Sequence, residues 1–259
     1  MGKNQGAAVK ERREKIRKYM ECHGEVTIGE LTKEFSRWSE MTLRRDLDFL
    51  AKEGVVILTR GGARLMPSSY GVSEDVYAER EKIGSVGKQQ IAEKAVKLVE
   101  PGMGIFIDSG TTGMAFARNL PDYNMVVITS APNIALEIAV KKNNPSIIML
   151  GGTVTRRSMA VSDSNIGEQL ANLNIDTAFL ATSGYDETAG FSVGSQSDAI
   201  LKRAVIARAR RVVMLMDSSK IGSMMPFTFA RPEDISVIVT DHSIPDGIKD
   251  KLKKQTSVL

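Results

Sequence analysis

Six short apolar runs dominate the later part of the chain: GIFID (104–108), MVVIT (125–129), SIIML (146–150), TAFLAT (177–182), RVVMLMD (211–217) and ISVIVT (235–240). None alternates polar with apolar residues. Each therefore predicts a strand buried on both faces, which is the pattern of a parallel sheet. Helices are expected between several of them, around 112–119, 132–141, 198–210 and 245–254. A long amphipathic helix is expected in front, over 79–100, ended by Pro101-Gly102. Strands alternating with helices predict an α/β fold with a doubly wound sheet.

The first 66 residues follow a different rule. Val9, Ile16 and Met20 form a helical stripe in VKERREKIRKYMECH. TIGE (27–30) reads as a capping box that opens a second helix, with Ile28, Leu31 and Phe35 inward. A third helix is expected from Ser39, a good N-cap, with Leu43, Leu47 and Leu50 on the core side. Thr42, Arg44 and Arg45 then project outward. VVILTRGGARLM (55–66) reads as two strands about a Gly-rich turn, a β-hairpin. Three helices and a hairpin describe a winged helix-turn-helix, with the third helix as the reader of the DNA groove and the hairpin as the wing. The domain reading is a DNA-binding unit over 1–66, a linker over 67–78 (rich in Ser, Gly and Pro) and an α/β unit over 79–259.

Charge separates the same two parts. Residues 1–66 carry 14 Lys+Arg against 10 Asp+Glu, so the whole net charge of +4 lies there and the remainder balances at zero. That places a polyanion partner, if there is one, on the first unit. A single cysteine, Cys22, rules out a disulfide within the chain and a thiolate metal cage. No apolar stretch is long enough for a membrane span or a signal peptide, so a cytoplasmic protein with no membrane partner is expected.

Polar and glycine-rich segments follow the strands, where a doubly wound sheet binds its ligands. DSGTTG (108–113) opens a helix. Gly110 and Gly113 permit close backbone approach, Ser109, Thr111 and Thr112 offer hydroxyls, and the helix N-terminus favours an anion such as phosphate. An ordinary capped strand-to-helix turn would look the same in isolation. TSAPN (129–133), LGGTV (150–154), TSGYD (182–186) and DSSK (217–220) meet the same edge, and Lys202 and Lys220 add cations. Together these loops suit a phosphorylated, polyhydroxylated ligand. Enzyme chemistry is poorly served. His23 and His242 stand beside no nucleophile motif, no metal-ligand spacing occurs, and no cofactor is expected. Asp108 and Asp186 keep a carboxylate-catalysed isomerisation open as the alternative.

TLRRDLDFLAKEGVVILTRGGARL (42–65), with DSGTT, VVITSAPNIA, MLGGTV, NIDTAFLATSGYDETAGFSV and LKRAVIARARRVVMLMDSSKIG behind it, resembles the DeoR family of bacterial transcriptional regulators over roughly residues 10–245. The resemblance implies a winged helix-turn-helix joined to a sugar-phosphate-sensing domain related to ribose-5-phosphate isomerase. It implies a repressor of a sugar or polyol catabolic operon, released by a phosphorylated sugar effector and acting as a homo-oligomer, a dimer or tetramer, on a double-stranded operator. Carried onto this chain, Ser39, Glu40, Thr42, Arg44, Arg45, Arg60, Gly61 and Arg64 would face DNA. The effector would meet Asp108, Ser109, Gly110, Thr111 and Thr112, together with Ser130, Asn133, Gly152, Gly184, Asp186, Lys202 and Lys220. Two departures bear on ligand preference. Asp198 and Ile200 stand where many members carry two glutamates, and TSAPN replaces the more usual TNSxN.

Overall fold

The computed structural model describes residues 2–23, 25–52, 55–59, 61–65, 77–82, 84–155, 158–163 and 165–259. The chain divides into two compact units, Met1–Tyr70 and Gly71–Leu259.

The first unit holds α1 (Gly2–His23), β1 (Glu25–Thr27), α2 (Ile28–Glu34), α3 (Glu40–Lys52), β2 (Val56–Thr59) and β3 (Gly62–Leu65). The capping box forms as the four letters TIGE predict. Glu30 N–H donates to Thr27 Oγ1 at 3.2 Å, and Thr27 N–H donates to Glu30 Oε2 at 2.7 Å. Ile16, Met20, Leu31, Leu43, Leu47 and Leu50 share one apolar cluster with Val26, Val56 and Ala63. The hairpin pairs β2 with β3 in antiparallel register, and β1 adds a third strand on the far side of β3. That strand was not anticipated. It requires Gly62, where a Cβ would stand 2.0 Å from the Val26 carbonyl oxygen.

The second unit begins with α4 (Tyr77–Lys82), α5 (Ser85–Ala95), β4 (Gly104–Ile107), α6 (Thr111–Asn119), β5 (Val126–Thr129), α7 (Pro132–Lys141) and β6 (Ser146–Met149). It continues with β7 (Thr153–Thr155), β8 (Ala160–Ser162), α8 (Ile166–Leu170), β9 (Ile175–Ala181), β10 (Gly184–Asp186) and β11 (Gly190–Val193). It closes with α9 (Gln196–Ile206), β12 (Ala209–Met216), β13 (Phe227–Ala230), β14 (Val237–Thr240), α10 (Asp246–Lys253) and β15 (Ser257–Val258). A seven-stranded sheet runs β15-β14-β12-β9-β4-β5-β6, with every pairing parallel. All six apolar runs are strands of it. The chain winds outward from β4 through β5 to β6, then restarts at β9 and winds the other way. The sheet is doubly wound, and its switch point lies between β4 and β9.

Both faces are covered, as non-alternating strands require. Phe179, Val213 and Val239 pack with Ile91, Phe116 and Ile134 on one face. Ala178, Leu180, Met214 and Ile238 pack with Tyr185, Phe191, Val205 and Leu252 on the other. A small sheet, β10-β11-β13, lies within the second cluster's reach, and β7 and β8 form a separate hairpin.

Two helix expectations change. The single helix over 79–100 is broken into α4 and α5, with Gly84 between them at φ +64°, a left-handed value glycine adopts freely. The helix over 198–210 stops at Ile206, because Ala209 already pairs with Ile175 in the sheet. Tyr77 and Ala78 belong to α4, while residues 67–76 of the expected linker lie outside the described residues. Among the described residues, no helix is long and apolar enough to cross a membrane.

Candidate functional site

The amphipathic third helix predicted from Leu43, Leu47 and Leu50 buries all three and turns the opposite side to solvent. Ser39 and Thr42 open it, with Thr42 N–H donating to Ser39 Oγ at 3.3 Å and the two hydroxyls 2.9 Å apart. Arg44 and Arg45 are exposed. Arg44 is held along the helix by Glu40, whose Oε1 accepts from Nε at 2.9 Å and from Nη2 at 2.7 Å. Glu40 thus fixes the direction of Arg44, and both groups are more than half exposed. Gly61 lies in the turn of the hairpin and is exposed. Arg64 pairs through its backbone with Glu25 and Ile57 as a residue of β3. Arg60 lies outside the described residues.

The leucines hold α3 on its core as expected, and a second, ionic contact went unnoticed in the sequence. Asp46, at 1% exposure, receives Arg12 Nε at 2.5 Å and Arg13 Nε at 2.8 Å from α1. The Arg13 guanidinium also lies 3.6 Å from the centre of the Phe49 ring. Three charged residues are therefore committed to seating the third helix on the first, and among its described side chains Arg44 and Arg45 are the outward cations.

At the switch point, Asp108 ends β4 and is fully buried. Its amide donates to the Phe179 carbonyl of β9 at 3.0 Å. Its Oδ2 accepts from the Ala181 amide at 2.8 Å and from the Lys202 ammonium. The carboxylate thus ties β4, β9 and α9 together at the carboxyl edge of the sheet. Gly110 follows at φ +96° as the N-cap of α6. Gly113 sits so close that a Cβ there would stand 2.2 Å from the Asp108 carbonyl oxygen. Ser109, Thr111 and Thr112 are buried around this first turn. The first-turn amides of a helix have no carbonyl one turn earlier to donate to, so this loop presents donors suited to an anion.

The other expected residues divide. Ser130, after β5, is buried with its hydroxyl unpartnered among the described residues, and its carbonyl accepts from Val161 N–H at 2.8 Å. Gly152 adopts φ +133° where β8 passes close. Gly184 pairs with Ser192 in the small sheet beside Thr182, whose hydroxyl donates to the Gly184 carbonyl at 2.7 Å. Lys220 stands in the short 3-10 turn after β12. Lys202 is not a solvent-facing cation. It is 2% exposed, bonded to Asp108, with Asp198 at 3.7 Å. Asp186 holds its own turn, accepting from the Thr188 hydroxyl at 2.5 Å and from the Thr188 and Ala189 amides. These bonds, that to the Thr188 hydroxyl first, keep its carboxyl below the usual aspartate range. Asn133 lines a different cavity, between α4, α6 and α7.

One residue was missed. Lys88 of α5 is 5% exposed and donates from Nζ to the Arg80 carbonyl of α4 at 2.5 Å. Burial pulls its ammonium below the ordinary lysine range, opposed by Asp217, while Lys220 pushes it further down. The charge of Lys220, in the turn after β12, is thus felt at Lys88. The signal was available: Lys88 lies on the helical stripe of Ile91, Ala92 and Ala95, a charge on an apolar face. Among the described residues no group of three His, Cys, Asp or Glu is arranged to hold a metal ion.

The sequence matches the DeoR-like helix-turn-helix domain over residues 12–69 and the DeoR C terminal sensor domain over residues 84–242. It is 32% identical to the uncharacterized HTH-type transcriptional regulator YulB of Bacillus subtilis, over 96% of this chain and 97% of that protein. It is 30% identical to the HTH-type transcriptional regulator GlpR of Haloferax volcanii, over 83% of this chain and 84% of that one. The HTH-type transcriptional repressor GlcR of Bacillus subtilis is 29% identical over 86% and 84%. Among solved structures, ribose 5-phosphate isomerase A of Methanocaldococcus jannaschii is 21% identical, with 52% of this chain and 53% of that chain covered and a TM-score of 0.38.

Proposed function

Since this chain belongs to the DeoR family of helix-turn-helix transcriptional regulators, we propose that it is a cytoplasmic repressor of a sugar or polyol catabolic operon, released from its operator by a phosphorylated sugar. The observation that carries the effector half is the opening of α6 at the switch point. A left-handed glycine, buried hydroxyls and first-turn amides converge there, and the turn that carries Lys220 follows β12 at the same edge of the sheet. The effector's phosphate takes the Ser109–Thr112 loop, and its hydroxyls face Ser130 and the Gly184 strand. Asp108 and Lys202 act as the internal pair that holds β4, β9 and α9 in place around it.

In the DNA half, α3 enters the major groove, where arginine grips phosphate as a fork or takes guanine bidentately. Arg44 and Arg45 supply these contacts and the wing residues Arg60 and Arg64 add charge. A dimer or tetramer would set two such helices on half-sites one helical turn, about 34–36 Å, or a multiple apart. The relatives that match nearly the whole chain are named as transcriptional regulators. The isomerase alternative would have to draw on Asp108, which is paired with Lys202, and on Asp186, which holds its own turn.

The test is fluorescence anisotropy of the full chain on the DNA upstream of its own gene, with a panel of pentose, hexose and polyol phosphates. Tight, salt-sensitive binding relieved by one of them is expected. Binding that no phosphate relieves sinks the sensor half, and absence of salt-sensitive binding sinks the DNA half. Arg44→Ala should weaken binding and reduce the salt slope by about one; an unchanged slope removes Arg44 from the phosphate contacts.

A further inference from the structure

A switch needs an element that can sit in two ways, and α4 has the features of one. It is the first described element after the DNA-binding unit, separated from β3 by residues 66–76. Among its described side chains, Tyr77 is the one packed against the apolar cluster of that face. Beside it lies a groove of about 430 Å³, open to solvent and lined by Tyr77, Met114, Arg118 and Asn133 among others. Burial pushes the Tyr77 hydroxyl above the usual tyrosine range, and the Asn133 side chain that it meets opposes that rise. A six-residue helix with one described side chain in the apolar cluster, seated beside a groove open to water, is thinly held. Local opening should be cheap there.

Two contacts tie that seat to the loop that opens α6. Arg118, in the last turn of α6, reaches Glu81 of α4 with Nη1 at 3.0 Å from Oε1. Its Nε lies 3.6 Å from Glu137 of α7. Thr111 and Arg118 belong to one nine-residue helix, so a shift at its first turn is passed to its last. The second contact is Lys88, whose ammonium is anchored on the Arg80 carbonyl of α4 while its charge is coupled to Asp217 and Lys220 at the sheet edge. An anion arriving beside Lys220 would compete for that ammonium with the carbonyl that holds α4.

We propose that α4 is the transmission element of this regulator, and that an anion at Ser109–Thr112 changes how α4 sits through Lys88 and the Arg118–Glu81 pair. This rests on the effector site proposed above. It adds a physical route by which occupancy of that site alters the segment leading to the DNA-binding unit. Coupling requires that the effector favour one seating of α4 over the other, and these contacts are where the difference arises.

Amide hydrogen exchange on the full chain tests it, with ribose 5-phosphate, fructose 1-phosphate and inorganic phosphate as probes. In the wild type, a probe that slows exchange at residues 109–113 should change exchange at 77–82 by about ten-fold, within the usual range of coupling between sites. In Arg118→Gln, a surface change away from the loop, protection at 109–113 should persist and the response of 77–82 should fall to less than about a third. Lys88→Gln should raise exchange at 77–82 without any probe, and Glu81→Gln serves as a second variant should Lys88→Gln not fold. Protection at 109–113 with no response at 77–82 in the wild type overturns the coupling and leaves the site standing. A full response retained in both Arg118→Gln and Glu81→Gln overturns the route through that pair. No effect of any probe at 109–113 overturns the site, and the coupling with it.

Discussion

At Asp46, two guanidiniums meet one carboxylate that is almost wholly shielded from water. Removing one member of such a buried group strands the others, so Asp46→Ala should destabilise the DNA-binding unit by about 3 kcal/mol. Trp38 is the sole tryptophan and stacks on Phe35 in that unit, so urea unfolding followed by tryptophan fluorescence reads this unit alone. A loss below about 1 kcal/mol, the worth of an exposed pair, would show that the clamp is dispensable. The clamp was not legible beforehand, because Arg12 and Asp46 lie 34 residues apart and each looks like ordinary surface charge. Lys88 was legible, as a charge on an apolar stripe. Its ammonium is lowered from the ordinary lysine range by burial, with Asp217 and Glu81 opposing and Lys220 and Arg80 assisting. It therefore loses its proton at a lower pH than a free lysine, and an anionic ligand loses a cation with it. Affinity for the sugar phosphate proposed to relieve DNA binding should fall as pH rises through the lowered lysine range, and Lys88→Gln should flatten that fall in a calorimetric titration. An identical pH profile in the variant would exclude Lys88 from the response.

In the sensor unit, α6 depends closely on a single residue. Gly113 lets its first turn press against the carbonyl of Asp108, and a methyl group there has nowhere to go. Gly113→Ala should destabilise the sensor unit by about 1–3 kcal/mol, the usual range for overpacking. It should also abolish release by sugar phosphate while operator binding without effector stays intact. A thermal melt and the anisotropy assay check both, and an intact release would mean that the loop tolerates displacement and is not the anion site. The six unbroken apolar runs, α7 and the capped start of α2 were legible. The small sheet of β10, β11 and β13 was not. Its strands are three or four residues long and mix glycine, serine and aspartate with aromatics, which gives periodicity too little to act on. The break between α4 and α5 was hidden because glycine within an amphipathic stretch does not announce whether it bends the chain.

For the whole molecule, effector release implies its converse. If a sugar phosphate weakens operator binding by some factor, operator DNA must weaken binding of that phosphate by the same factor. Titrating the phosphate into the protein alone, and into the protein saturated with operator, should give equal factors. Unequal factors would mean that release proceeds by another event, such as a change of assembly during the titration. The doubly wound order was readable from the runs themselves, and with it the edge on which the ligand loops would gather. Which of those loops truly meet was not, because it depends on where the winding reverses, and no local pattern records that reversal.

The position of that reversal also sets an order in time. β4 is made early but lies beside β9, and the partners of Asp108 are Ala181 and Lys202. A chain growing at about 5–20 residues per second needs on the order of ten seconds to pass from the end of the DNA-binding unit to Lys202. Through that interval the winged helix can already be complete, while the centre of the sheet waits for its neighbour. Under the function proposed above, the nascent chain completes the unit that would grip DNA before the unit that would release it.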